Sequence, residues 1–374
     1  MSFPDGVVDM SFYGRPLGAE HPGIVPIILS GATKDRNGKP GPYFSGQGIS
    51  TEIGKPSIGI ADPTITDHDD LKLAWYTGCH EFHALDAISA LLRGIADRYD
   101  LHLLLVGGSG GGYAALRLVE DLRDRATAFV WNPQTDILMY EASAVASYVR
   151  SAFPELELGP DLAAGPEERE ATRSMLRRSG VDTIVGSVSS AGSRTLVLQN
   201  VDDWQHTESH VRPYASRRGM ADEGAHLQDA RGQVAFGNWG VGHIAPPRDV
   251  LVLATKSLLA GHTVDETYAQ LLTAFPAIFD LHPIDMGSVK SHHFALSLGG
   301  GELRVSYNGP VDGFEFAYYF NGPHGRLDQR WYTDQPDVVV PPAVADRTTS
   351  ISCFVRNTVQ AKVRFEIPVP VPVG

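Results

Sequence analysis

The stretch that most restricts this chain is residues 101–116, LHLLLVGGSGGGYAAL, in which one serine stands among five glycines. Leu101–Val106 is short, unbroken and apolar, the pattern of a strand buried on both faces, and Tyr113–Val119 reads as a helix. The glycines therefore occupy a strand-to-helix turn. Three devices use such a turn: a phosphate-cradling loop, a dinucleotide fingerprint, and a sharp elbow that lifts a nucleophilic serine above a sheet.

The neighbours discriminate between them. A phosphate loop needs GxxxxGK[ST], and residues 101–116 hold no lysine. Gly110, Gly112 and Ala115 do satisfy GxGxxA, but the next strand ends in FVWNPQTD, with no carboxylate near its end to hold a ribose. The elbow fits at every position, because Gly107, Ser109 and Gly111 form GxSxG. The Gly110 amide, at a helix N-terminus, is then placed to stabilise an oxyanion.

A serine hydroxyl is a weak nucleophile unless a histidine takes its proton and an acid orients that histidine. Both should lie downstream, acid first. RTLVLQN reads as a strand followed by VDDWQH, so Asp202 and Asp203 stand at a strand's C-terminal end. Counting three residues from Asn200 selects Asp203, although either aspartate could instead cap a helix. The strand GQVAFGNW leads into GVGHIAPPRDV, which puts His243 in a short loop before a helix opened by Pro246 and Pro247.

With these three positions in order, residues 24–260 resemble the α/β-hydrolase superfamily. The resemblance implies Ser109 as nucleophile, His243 as base, Asp203 as orienting acid, and a second oxyanion amide at Gly31 or Ala32. The HGGG run of lipases and esterases is missing there. IADPTI, LAWYTG and WNPQT further resemble bacterial hydrolase-like proteins with a C-terminal β domain.

The remaining pattern suits that fold class, an α/β mostly parallel sheet with helices on both faces. Strands are expected at Ile24–Leu29, Ser57–Ala61, Leu101–Val106, Ala126–Trp131, Thr195–Gln199 and Gln233–Phe236. Helices are expected at His83–Tyr99, Tyr113–Leu122, Tyr140–Ala152, Arg248–Ala260 and near Thr263–Phe275. GPEEREATRSMLRRSG carries start and stop signals of its own: Pro166, then Glu167 and Glu168, with Arg177 and Arg178 near the end. The expected organisation is a hydrolase domain over 1–275 with a helical, lid-like insertion at about 133–193, a linker over 276–287, and a domain over 288–374. In that last part apolar residues recur at every second position, as in Phe314, Phe316, Tyr318 and Phe320. This predicts a small immunoglobulin-like β-sandwich.

Charge narrows the partners. The net charge is −13, and residues 288–374 hold eight basic and eight acidic residues, so the acidic excess lies entirely in the first part. That speaks against nucleic acid, which needs a basic surface. The opening lacks a basic and apolar leader, and no run approaches the ~20 apolar residues of a membrane span, so a cytoplasmic location is expected. Cys79 and Cys353 are too few for a disulfide framework.

The expected chemistry is acyl transfer through an acyl-serine, on a small-molecule or glycan ester. Water as acceptor gives an esterase; a thioesterase or an acyltransferase would use the same residues. No cofactor is called for. His206 and His210 are spaced to ligate a metal from one helix face, but they depart from HExxH. With Asp202 and Trp204, His206 is expected to line the pocket instead. His292 and His293, read as strand residues, would point to opposite faces. The rival class is a hydrolase fold without catalysis whose β domain binds sugar or protein through Tyr318, Tyr319, Phe320, Trp331 and Tyr332.

Overall fold

The computed structural model describes residues 1–18, 23–33, 40–156, 162–163, 165–186, 193–281, 286–299, 302–323, 325–359 and 362–369. The chain divides into two compact units, Met1–Asp280 and Leu281–Gly374.

The first unit is built on a nine-stranded sheet. Its strands are β1 (Met10–Tyr13), β2 (Ile24–Leu29), β3 (Ser57–Ile60), β4 (His102–Gly108), β5 (Ala126–Trp131), β6 (Arg194–Asn200), β7 (Ala221–Asp222), β8 (His226–Gln228) and β9 (Gly232–Gly237). Their spatial order is β1-β3-β2-β4-β5-β6-β9-β8-β7. The run from β3 to β9 is parallel, which is why these strands read as continuous apolar runs. Antiparallel β1, β7 and β8, which the pattern did not predict, finish the edges.

Helices α1 (Ala84–Tyr99), α2 (Ser109–Leu122), α3 (Ala142–Ala152), α4 (Pro166–Arg178), α5 (Arg212–Arg218), α6 (Arg248–Leu259) and α7 (Val264–Ala274) cover the sheet. Because side chains alternate along a strand, Leu104 and Val106 join the core under α6 and α7, whereas Leu103 and Leu105 point to the other face. The turn glycines are absorbed into regular structure. β4 runs on to Gly108, and α2 begins at Ser109 rather than Tyr113.

Two expected segments change character. Within the stretch read as a linker, Pro276 opens a short helix, Pro276–Phe279, and Phe279 is fully buried in the first unit's core. Residues 282–285 of that stretch lie outside the described residues. The insertion at about 133–193 holds α3 and α4, while residues 157–161, 164 and 187–192 are outside the described residues. α4 starts at Pro166 and ends at Arg178, as its terminal signals predict, and is tied down by a bidentate pair from Arg173 to Asp136.

The second unit holds β10 (Phe294–Gly299), β11 (Glu302–Tyr307), β12 (Phe314–Gly322), β13 (Gly325–Thr333), β14 (Val338–Val340), β15 (Ser350–Asn357) and β16 (Lys362–Pro368). Two antiparallel sheets, β10-β11-β14 and β13-β12-β15-β16, share one core that includes Val305, Val340, Phe316, Tyr318 and Ile351. This is the small sandwich that the period-two pattern predicts. Leu298 departs from it, at 59% exposure near the end of an edge strand. His292 and His293 also depart, because they lie in a 3-10 turn before β10, with ring centroids 4.6 Å apart, and not on opposite strand faces.

Candidate active site

The glycine spacing has a steric cause. A Cβ on Gly107 would lie 2.5 Å from the Gly111 carbonyl oxygen, and one on Gly111 would lie 2.4 Å from that of Leu29. Only glycine lets the strand turn so tightly into α2. Between them Ser109 is held at φ 54°, a left-handed conformation that costs a non-glycine residue about 1–3 kcal/mol. Its Oγ lies 3.1 Å from His243 Nε2, and His243 Nδ1 lies 2.5 Å from Asp203 Oδ2.

The loop carrying His243 is pinned from below. Asn200 Nδ2 donates to the carbonyls of Gly240 and Gly242, both at 2.8 Å, and Asn132 Nδ2 donates to Ile244 O at 2.7 Å. Asp202 accepts from the Gly242 amide at 2.6 Å. The adjacent aspartates are thus divided: Asp203 faces the imidazole, and Asp202 anchors the backbone beside it. Asp203 also caps the helical turn Trp204–His206, so one carboxylate both caps a turn and meets the His243 ring.

His206 is the residue whose role the sequence pattern understates. Its Nδ1 lies 3.0 Å from Asp203 Oδ1, so one carboxylate bridges two imidazoles, and its ring stacks on His243 with centroids 4.0 Å apart. The chain then passes through a π-helical turn, Thr207–Val211, ahead of α5. Pro213 explains this turn, since it has no N–H to donate to the carbonyl four residues earlier. The wide turn sets His210 beside His206, with ring centroids 5.0 Å apart and the rings tilted by 41°, and His210 Nδ1 accepts from the Thr135 amide at 3.3 Å. His206 Nδ1 is taken up by Asp203 and His210 Nδ1 by the Thr135 amide, whereas the buried Nε2 atoms of both rings have no hydrogen-bond partner among the described residues.

Burial by itself would raise the Asp203 carboxyl, but hydrogen bonds and charge from His206 and His243 hold it well below the usual carboxylate range. Burial pushes the His206 imidazole down against the opposing pull of Asp203, and pushes His210 down much further. The arrangement keeps an ionised carboxylate between a neutral His206 and the more exposed His243.

Facing the serine, the Gly110 amide opens α2, where N–H groups have no helical partner. Across the turn, a Cβ on Gly31 would come 3.8 Å from Ser109 Cβ. The Ser30 and Thr33 amides bond Tyr76 Oη and Lys72 O. Gly31 and Ala32 have no amide partner among the described residues. A cleft of about 510 Å³ opens over this point, lined by Ala32, Lys72, Tyr140, Asp202, Trp204 and His206 among others. From the insertion it takes Tyr140, Glu141 and Ala144, but no residue of α4. A smaller cavity of about 290 Å³ near Ile24, His102 and Arg194 sits at the opposite ends of the strands and contains none of the expected site residues.

The aromatic residues of the second unit do not form an open stacking row. Tyr318 and Phe320 are core, and the Arg326 and Arg356 guanidinium groups lie over the rings of Tyr319 and Tyr332, at 4.6 and 3.9 Å. Trp331 is 45% exposed.

No family model and no curated protein matches this sequence. Among solved structures it is similar to the capsule O-acetyltransferase of Neisseria meningitidis serogroup A, at 13% identity over 69% of this chain and 93% of that one, with TM-score 0.45. It is also similar to an acetyl xylan esterase from Paenibacillus sp. R4, at 14% identity over 69% and 80%, with TM-score 0.43. A third is a monoglyceride lipase from Saccharomyces cerevisiae, at 10% identity over 70% and 94%, with TM-score 0.39. Among the described residues, no helix is long and apolar enough to cross a membrane.

Proposed function

We propose that this chain, whose first unit has the α/β-hydrolase fold, is a serine acyl-transfer enzyme that cleaves an ester of a small acyl group. The observation that carries the reading is the hydrogen-bonded chain Ser109 Oγ, His243, Asp203 at the mouth of a cleft, with Ser109 held in a left-handed turn. Strain, convergence and access together are what nucleophilic catalysis needs.

In this mechanism His243 Nε2 takes the Ser109 proton as Oγ adds to the acyl carbon. Asp203 holds the Nδ1–H tautomer and balances the imidazolium. The amides of Gly110 and of Gly31 or Ala32 receive the oxyanion, and His243 returns the proton to the departing alcohol. Water then repeats the sequence in reverse to free the acid. Thioesters yield to the same steps, and a sugar hydroxyl in place of water makes the reaction a transfer.

The cleft lining favours a polar alcohol over a long acyl chain, because Lys72, Glu141 and Asp202 stand beside the aromatic faces of Tyr140 and Trp204. A glycan ester or similar hydroxylated ester is the substrate class it fits. The test is labelling with a fluorophosphonate, wild type beside Ser109→Ala, read by intact mass. One adduct, lost in the variant, supports the reading and leads to a panel of acyl esters and thioesters with and without sugar acceptors. Folded wild-type protein that takes no adduct overturns it.

A further inference from the structure

Ser109 Oγ has a second partner that the three-residue mechanism does not use. Gln134 Nε2 lies 3.1 Å from Oγ, and the Gln134 backbone N–H donates to the Ser109 carbonyl at 3.2 Å. Gln134 is completely buried. Its amide orientation follows from chemistry: Trp75 Nε1–H donates to Gln134 Oε1, and since an indole nitrogen only donates, the oxygen must face Trp75 and the NH₂ must face the serine. Tyr140 is hydrogen-bonded to the same side chain. The lock is built at a conformational cost, because Trp75 and Tyr76 both stand at positive φ, 54° and 61°, where aromatic residues are rarely found.

We infer that Gln134 is a positioning side-chain donor to the nucleophile of the acyl-transfer site, held to one orientation by Trp75. The inference rests on the proposed serine chemistry and adds a group to it. In the resting site the Gln134 N–H occupies one lone pair of Oγ and leaves the hydroxyl proton directed to His243. When Oγ adds to the acyl carbon, its proton passes to His243 Nε2 and the carbonyl π pair becomes the oxyanion on that same carbon. The fixed Gln134 N–H, fully buried and directed at Oγ, holds the free lone pair of Oγ in line with the acyl carbon as that bond forms.

The test uses the full chain and a fluorophosphonate, whose phosphonyl oxygen develops negative charge in the same position. Inactivation rates are measured against probe concentration for wild type, Ser109→Ala, Gln134→Met, Gln134→Glu and Trp75→Phe, with thermal midpoints alongside. The expected result is a maximal inactivation rate about 10²-fold lower in Gln134→Met, with little change in half-saturating concentration. Gln134→Glu, which retains an acceptor for Trp75 but puts a carboxylate oxygen against Oγ, falls at least as far. Trp75→Phe, which frees the amide to turn, loses about tenfold.

A purely structural role would move the midpoint or the half-saturating concentration instead. Labelled wild type with an undiminished maximal rate in the two Gln134 variants overturns the inference alone. Wild type that takes no label overturns the serine reading as well.

Discussion

The two units handle strain and buried charge in opposite ways. Among the described residues, every non-glycine at positive φ belongs to the first unit: Trp75, Tyr76, Asp100, Ser109, Arg123 and Asn132. Asp100 and Arg123 merely end helices. The other four converge on one point: Trp75 through Gln134, Tyr76 through the Ser30 amide, and Asn132 through Ile244 O and Asn200 N. The second unit reaches positive φ at glycines alone, Gly313 and Gly325, and its core is aliphatic and aromatic around a free thiol. Residues set against their own preferences persist only where something else over-determines them, and here they frame a cleft.

The most direct way to break this contrast is to remove a group at the point of convergence. Ser109→Ala should abolish fluorophosphonate labelling, and His243→Ala should lower its rate by about 10⁴-fold, with thermal midpoints near wild type. The adjacent aspartates then sharpen it. Asp203→Asn should cost about 10³- to 10⁴-fold in labelling rate, since it loses the tautomer control of His243. Asp202→Asn, which alters a backbone anchor in the cleft wall and leaves the imidazole's partner in place, should cost less than about tenfold. Equal losses in the two would refute their division of labour.

The second unit should respond in stability and not in chemistry. Phe316 is fully buried between its sheets, so Phe316→Ala should destabilise that unit by about 3–5 kcal/mol in denaturant unfolding. The labelling rate per folded molecule should stay unchanged. A large fall in that rate would show that the sandwich contributes to the site.

What could be read from the sequence follows the same line. The parallel strands, the α4 ends and the alternating β core were legible because period, caps and burial agree locally. The meeting of Ser109, Asp203 and His243 could be anticipated because a sharp turn and two strand ends carry short-range signals. His206 was only half legible, since its tie to Asp203 depends on a helical turn widened by Pro213 seven residues later. Gln134 was invisible: its partners Trp75 and Ser109 lie 59 and 25 residues away in the chain. Left-handed Trp75 and Tyr76 defeat any propensity argument, because only the assembled site makes that conformation worth its cost.

The smallest effect separates the buried histidines from the exposed one. His206 and His210 are held below the ordinary value of 6.5 by burial, so the folded chain keeps them neutral where the unfolded chain takes up protons. Stability rises with pH wherever the unfolded state binds more protons, so it should fall as pH drops below about 6.5, by up to ~1.4 kcal/mol per pH unit for each histidine. In His210→Gln the new side-chain oxygen can still accept a hydrogen bond from the Thr135 N–H but cannot titrate. His210→Gln should therefore flatten the decline of the thermal midpoint between about pH 7 and 5. Asp203 adds nothing to this window, since its carboxylate stays ionised throughout. An equally steep decline in the variant would mean that His210 binds its proton in the folded state as readily as in the unfolded one.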